Sequence, residues 1–129
     1  MRKLIAAVAV LALIVSFAVA PVAAQMMNAS KPFTGPKANK GTVSYSKQGG
    51  KITLTLSDDF VVPDTPDPHW QVVDSDGVVY DLAKLKIKDD KYNKSVTLPK
   101  YVKNVAKVVI WCAWAETNLG EASFDKPVK

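Results

Sequence analysis

Cysteine and histidine occur once each in this chain, as Cys112 and His69, and arginine occurs once, as Arg2. Each scarcity closes a class of chemistry. A structural zinc site draws four ligands from Cys and His, and a blue-copper site needs two histidines beside its cysteine; neither count is met. Without Cys-x-x-Cys-His there is no covalent c-type haem. A lone thiol cannot cycle through an internal disulfide, because exchange needs a second sulfur. Long helical periods are missing too: no segment beyond about eight residues repeats its apolar positions at the helical spacing.

The longest hydrophobic run is at the start. Arg2 and Lys3 precede an apolar stretch from Leu4 to Ala20 interrupted only by Ser16, and Pro21-Val22-Ala23-Ala24-Gln25 follows with small residues at Val22 and Ala24. This is the layout of a secretory signal peptide, residues 1–24, cleaved near Ala24. The expected product is secreted or periplasmic and keeps no stable membrane span. The other reading, an uncleaved anchor, needs a run at the lower edge of what spans a bilayer.

Removing Arg2 and Lys3 lowers the formal charge from +5 to +3, 15 lysines against 12 acidic residues. The remaining chain has no forked guanidinium for phosphates or base edges, and its lysines are scattered along the sequence. Nucleic acid is not expected as a partner. Residues 25–40, polar and broken by Pro32, Gly35 and Pro36, read as a flexible leader.

From Gly41 the pattern becomes short and alternating. Lys51 to Ser57 places Ile52, Leu54 and Leu56 on one face and threonines on the other, the period of a half-buried strand. Thr42–Lys47 precedes it across Gln48-Gly49-Gly50, a hairpin signature. Further strands are expected at 69–73, 78–82, 85–88, 95–98 and 119–124, with Asp-, Asn- and Gly-rich turns between them. The run 107–114, Lys-Val-Val-Ile-Trp-Cys-Ala-Trp, reads as a central strand covered on both faces. One helical turn is allowed between Pro99 and Ala106. The expected fold is all-β, an antiparallel sandwich or barrel-like sandwich of about eight short strands.

Four residues stand out chemically. Cys112 shares a face with Ile110 and Trp114 if the strand continues; if that face is the core, burial raises its pKa and leaves the sulfur inert. Pro63-Asp64-Thr65-Pro66-Asp67-Pro68 cannot join a central ladder and delivers His69 and Trp70 into the next strand. That loop is either the stiff rim of a binding site, with Asp67 and Trp70 in it and His69 as ligand or proton donor, or a rigid connection with Trp70 in the core. The three tryptophans are expected to be core rather than sugar-stacking platforms. Asp64, Asp67 and His69 with Ser57 or Ser123 do not make a hydrolase, because no serine carries the nucleophile-elbow glycines.

Gly41-Thr-Val, the Leu54-Thr-Leu-Ser-Asp-Asp-Phe60 strand, Pro66-Asp67-Pro-His-Trp and the closing Val108-Val-Ile-Trp-Cys112-Ala-Trp-Ala-Glu-Thr-Asn-Leu-Gly120-Glu-Ala122 come in an order that resembles the DM-thirteen domain family. The resemblance covers residues 40–126 and makes 41–126 a DM-thirteen-like β domain of the short exported bacterial type. It departs from the family's glycine-containing loop in having Thr65-Pro66-Asp67. The resemblance implies an electron-transfer or thiol-redox role at Cys112, as a bare thiol meeting an envelope redox protein or as a ligand to a haem-like group, non-covalent haem needing one or two axial ligands. The competing reading is a non-catalytic binding or adhesion module of the cell envelope with a purely structural buried cysteine. An enzyme ranks last.

Overall fold

A computed structural model describes residues 28–129; the expected signal peptide, residues 1–24, and residues 25–27 of the expected leader lie outside the described residues. The fold is all-β and antiparallel, as the alternation demands. No helix among the described residues is long and apolar enough to cross a membrane.

Strands β1 (Val43–Gln48) and β2 (Lys51–Leu56) form a hairpin around Gly49-Gly50, both with positive φ (58° and 77°). Two left-handed residues in a two-residue loop match the right-handed twist of the strands they join, which is why glycine occupies both. β3 (Pro68–Val73), β4 (Val79–Lys84), β5 (Lys86–Lys88), β6 (Lys91–Tyr92), β7 (Ser95–Thr97), β8 (Val105–Cys112) and β9 (Thr117–Val128) complete the chain. One sheet has the order β1-β2-β7 and the other β4-β3-β8-β9, with β5-β6 as a separate ribbon.

The threonines of β2 have a cross-strand purpose. Thr53 meets Thr97 at 3.1 Å and Thr55 meets Ser95 at 2.9 Å, hydroxyl to hydroxyl, so β7 is tied to β2 by side chains as well as by its ladder. On the opposite face Leu54 and Leu56 are buried with Val43. They pack in one cluster with Trp70, Val72, Val108, Ile110 and Ala122 of the larger sheet. Each such aliphatic side chain contributes about 1.5–3 kcal/mol when fully removed from water. Trp70 is wholly buried, and its indole N–H donates to Asn93 O at 2.7 Å. It belongs to the core rather than to a rim.

Residues 28–40 correct the flexible-leader expectation. Ala29 bridges Ser44 of β1, and Thr34 bridges Glu121 of β9. The N–H groups of Lys37 and Ala38 both reach Leu119 O, at 3.0 and 2.7 Å. The segment therefore covers the outer edges of β1 and β9 along one side of the sandwich, where unpaired edge groups would otherwise template foreign strands. Phe33 anchors it, 1% exposed, with its ring centroid 5.1 Å from that of Phe60. Glycine permits the approach: a Cβ at Gly35 would stand 2.6 Å from Leu119 O, and one at Gly120 would stand 2.6 Å from Ala38 Cβ. The other boundary moves as well, since β9 continues past 126 to the buried Val128.

Three further expectations change. The 99–106 stretch is a turn without helix, closed by Val102 N–H to Pro99 O at 3.1 Å. The expected turn 89–93 contains β6, which makes nine strands among the described residues. β8 begins at Val105 and ends at Cys112, so Trp114 does not share the buried face. It sits in the β8–β9 turn and is 75% exposed. Trp111, on the outward side, is half-buried. Of the three tryptophans only Trp70 is core.

Candidate functional site

The sulfur of Cys112 lies where β8 stops. Alternation along β8 puts Val108, Ile110 and Cys112 on the buried side and Trp111 on the other. Cys112 itself is 1% exposed. In the β3–β8 register Pro68 stands opposite Cys112 and His69 opposite Trp111. The proline-rich loop thus ends directly beside the thiol, and Ala113 N–H donates to Asp67 O at 2.9 Å to hold it there. Beyond Cys112 the chain turns through Ala113–Glu116, with Glu116 at φ 51°.

That turn and that loop direct hydrogen-bond donors at the sulfur. The Ala115 backbone N–H does most, and the amides of Asp67 and Trp114 add to it. Thr65 Oγ1 is buried beside the sulfur with no hydrogen-bond partner. Donors aimed at a thiol favour its anion. They hold the Cys112 thiol below its ordinary value, although burial pushes the other way. The expectation that a core position would raise this pKa is corrected: the backbone at the strand end outweighs desolvation.

His69 faces away from this thiol, on the outer side of the sheet. Its Nε2 is 3.0 Å from Asp67 Oδ1 and its Nδ1 is 3.0 Å from Asp81 Oδ1. Gln71 Nε2 reaches the second Asp81 oxygen at 3.4 Å. A neutral imidazole donates through one nitrogen, and an imidazolium donates through both; each ring nitrogen lies against a carboxylate oxygen. Asp67 is the shared member, its backbone at Cys112 and its carboxylate at His69. Sequence reasoning found Cys112, His69 and Asp67 but missed Asp81, Thr65 and the 113–116 turn. The bulge at Trp70/Gln71 that sets the register of β3 against β4 has no signature in the sequence.

These residues do not fit a haem-like group. The thiol is closed inside the core, and the one imidazole lies on the opposite face with both nitrogens engaged, so the two cannot serve a common iron from where they stand. Among the described residues no group of three or more His, Cys, Asp and Glu is arranged to hold a metal ion.

The outward face of the larger sheet has its own relief. Gln71, Val73, Val109, Trp111, Asn118 and Glu121 line an open concavity of about 340 Å³. Lys107 Nζ and Glu121 Oε2 pair across its floor at 2.8 Å.

No family model, no curated protein and no solved structure matches this chain.

Proposed function

We propose that this chain is an exported envelope domain of DM-thirteen type, released by cleavage near Ala24, whose Cys112 is a thiol-redox centre. What supports the reading is the set of donors around a buried sulfur. Backbone amides that hold a buried thiol below its ordinary value favour the thiolate, which is its nucleophilic form. The chemistry is that of a single sulfur. The thiolate attacks a peroxide oxygen; an S–O bond forms as the O–O bond breaks, sulfur loses two electrons to become a sulfenic acid, and hydroxide leaves and takes up a proton. With no second cysteine in the chain, the sulfenic acid is resolved by the thiol of an envelope redox partner. An S–S bond forms, the S–O bond breaks, and water leaves. Closure of the site by Thr65–Asp67 limits access to small oxidants until that loop moves.

The test is to treat the native protein with hydrogen peroxide in the presence of dimedone and follow adduct formation by mass spectrometry. A Cys112 adduct formed under native conditions, and absent in Cys112→Ser, is the expected result. A sulfur modified only after unfolding would overturn the redox reading.

One observation favours a second reading, a binding or adhesion module. Trp111 lines the outward concavity with Gln71, Asn118 and Glu121, a combination of a ring and amides suited to an uncharged polar ligand. Under that reading Cys112→Ser leaves ligand binding intact and Trp111→Ala abolishes it.

A further inference from the structure

The lysines that are scattered along the sequence are not scattered in space. Lys51 opens β2, Lys100 and Lys103 flank the turn that follows β7, and Lys129 follows β9. The fold gathers all four around one open groove of about 830 Å³ at the end of the sandwich. Gly49, Gly50, Ile52, Thr97, Leu98, Pro99 and Val102 supply the rest of its wall, and no carboxylate side chain lines it. Four lysines outside the groove are paired, Lys31 with Asp125, Lys86 with Asp64, Lys94 with Asp58 and Lys107 with Glu121; what sets the groove apart is that four unpaired lysines share one concavity. None of the four groove lysines has a carboxylate within salt-bridge reach among the described residues.

Like charges brought together repel one another, and a fold that gathers them gains by meeting an anion. The rest of the lining narrows the class. No Asn, Gln, Asp, Glu or aromatic ring borders the groove, so sugar hydroxyls find no amide or carboxylate and bases find nothing to stack on. The available groups are donors: ammonium groups, the Thr97 hydroxyl and the bare backbone of the Gly49-Gly50 turn, where a Cβ would meet nothing within 4 Å. Lysine binds phosphate as a point charge rather than as a fork, which suits a flexible chain of repeating charge. A concave lining suits a flexible polymer better than a planar bilayer.

We infer that the groove bounded by Lys51, Lys100, Lys103 and Lys129 binds a linear phosphate-rich polyanion. The site is independent of the thiol. It lies where β8 begins, and Cys112 lies where β8 ends, about 23 Å away for eight extended residues.

The probe is long-chain inorganic polyphosphate, titrated against the purified exported chain at several salt concentrations. Neutralising four charges on a single-stranded polyanion predicts a loss of affinity of about fiftyfold between about 50 and about 200 mM salt. Lys51→Glu/Lys103→Glu should weaken binding by about tenfold or more, while Lys84→Glu/Lys88→Glu, with the same change in net charge, should leave it within about twofold. Circular dichroism of both pairs checks that the fold is kept. Equal losses in the two pairs would mean that net charge alone is responsible, and would overturn the inference. So would absence of binding at low salt, or capture by phosphatidylglycerol vesicles that polyphosphate does not displace, which would make a lipid surface the occupant.

Discussion

Pro68 stands opposite Cys112 across the β3–β8 ladder, and that pairing seats the proline-rich loop on the sulfur. A proline has no N–H to give the ladder, yet the contact continues one residue further through Ala113 N–H to Asp67 O at 2.9 Å. The Asp67 amide then adds to the lowering of the thiol pKa. The loop's stiffness and the environment of the sulfur have one origin.

The first consequence is a pH dependence of stability. A thiol whose folded pKa lies below its unfolded value contributes stability that is fully present above the unfolded value and is lost as pH falls through the folded one. Cys112 is shifted in that direction by the amides of Ala115, Asp67 and Trp114. Urea denaturation of the protein and of Cys112→Ser should therefore diverge in favour of the cysteine as pH rises toward the ordinary thiol range. Parallel curves across that window would mean that the donors do not act on the anion.

The core tryptophan gives a prediction about packing. Trp70→Phe removes the donor that Asn93 O accepts at 2.7 Å and leaves that carbonyl short of a partner, at about 1–3 kcal/mol. The carbonyl belongs to the segment between β6 and β7, so the loss should also loosen β7. Hydrogen exchange at Ser95–Thr97 should accelerate along with a fall in the urea midpoint. An unchanged midpoint would place the indole N–H outside the stability of the fold.

Residues 28–40 behave differently from their composition. Phe33→Ala removes the ring packed on Phe60 and should destabilise by about 3–5 kcal/mol if the segment stays docked. If it undocks instead, the loss is smaller and the segment becomes a protease target, exposing the edges of β1 and β9. Limited proteolysis with N-terminal sequencing distinguishes the two. A variant equal to the parent in both stability and protease resistance would show that the segment contributes nothing.

Legibility in the sequence followed the range of each interaction. The β1–β2 hairpin was readable because Gly49-Gly50 and the Ile52-Leu54-Leu56 alternation are local signals. Cys112 and His69 stood out as the only members of their types, and the loop between Pro63 and Pro68 stood out by its prolines. What was hidden is what only register and turn geometry decide. Phe33 looked like a stray aromatic in a polar stretch because its partner Phe60 is 27 positions away. Trp114 looked buried because nothing local announced that β8 would stop at Cys112 and turn. The four groove lysines span most of the folded chain, and no one-dimensional stripe brings them together. The shift at Cys112 came from backbone amides, which every residue has and which no sequence pattern distinguishes.

The last prediction concerns the link between His69 and the thiol. Asp67 carries both, through its carboxylate to His69 Nε2 at 3.0 Å and through its backbone to Cys112. His69→Ala leaves the Asp67 and Asp81 carboxylates facing each other without the ring between them, and loss of hydrogen bonds to charged groups is worth about 1.5–3 kcal/mol each. If that energy holds the 63–68 loop closed, the loop should open more often and the sulfur should become easier to reach. Native-state labelling of Cys112 with a maleimide should speed up by about tenfold for each 1.4 kcal/mol removed from closure. The effect should be partly rescued in His69→Gln, which retains one donor toward a carboxylate. Global stability, read by urea, separates this local opening from general unfolding: labelling must accelerate more than the unfolding equilibrium changes. Labelling that rises only in step with global destabilisation would mean that the His69 pair and the Cys112 donors are separate features sharing one loop, and that Asp67 couples nothing.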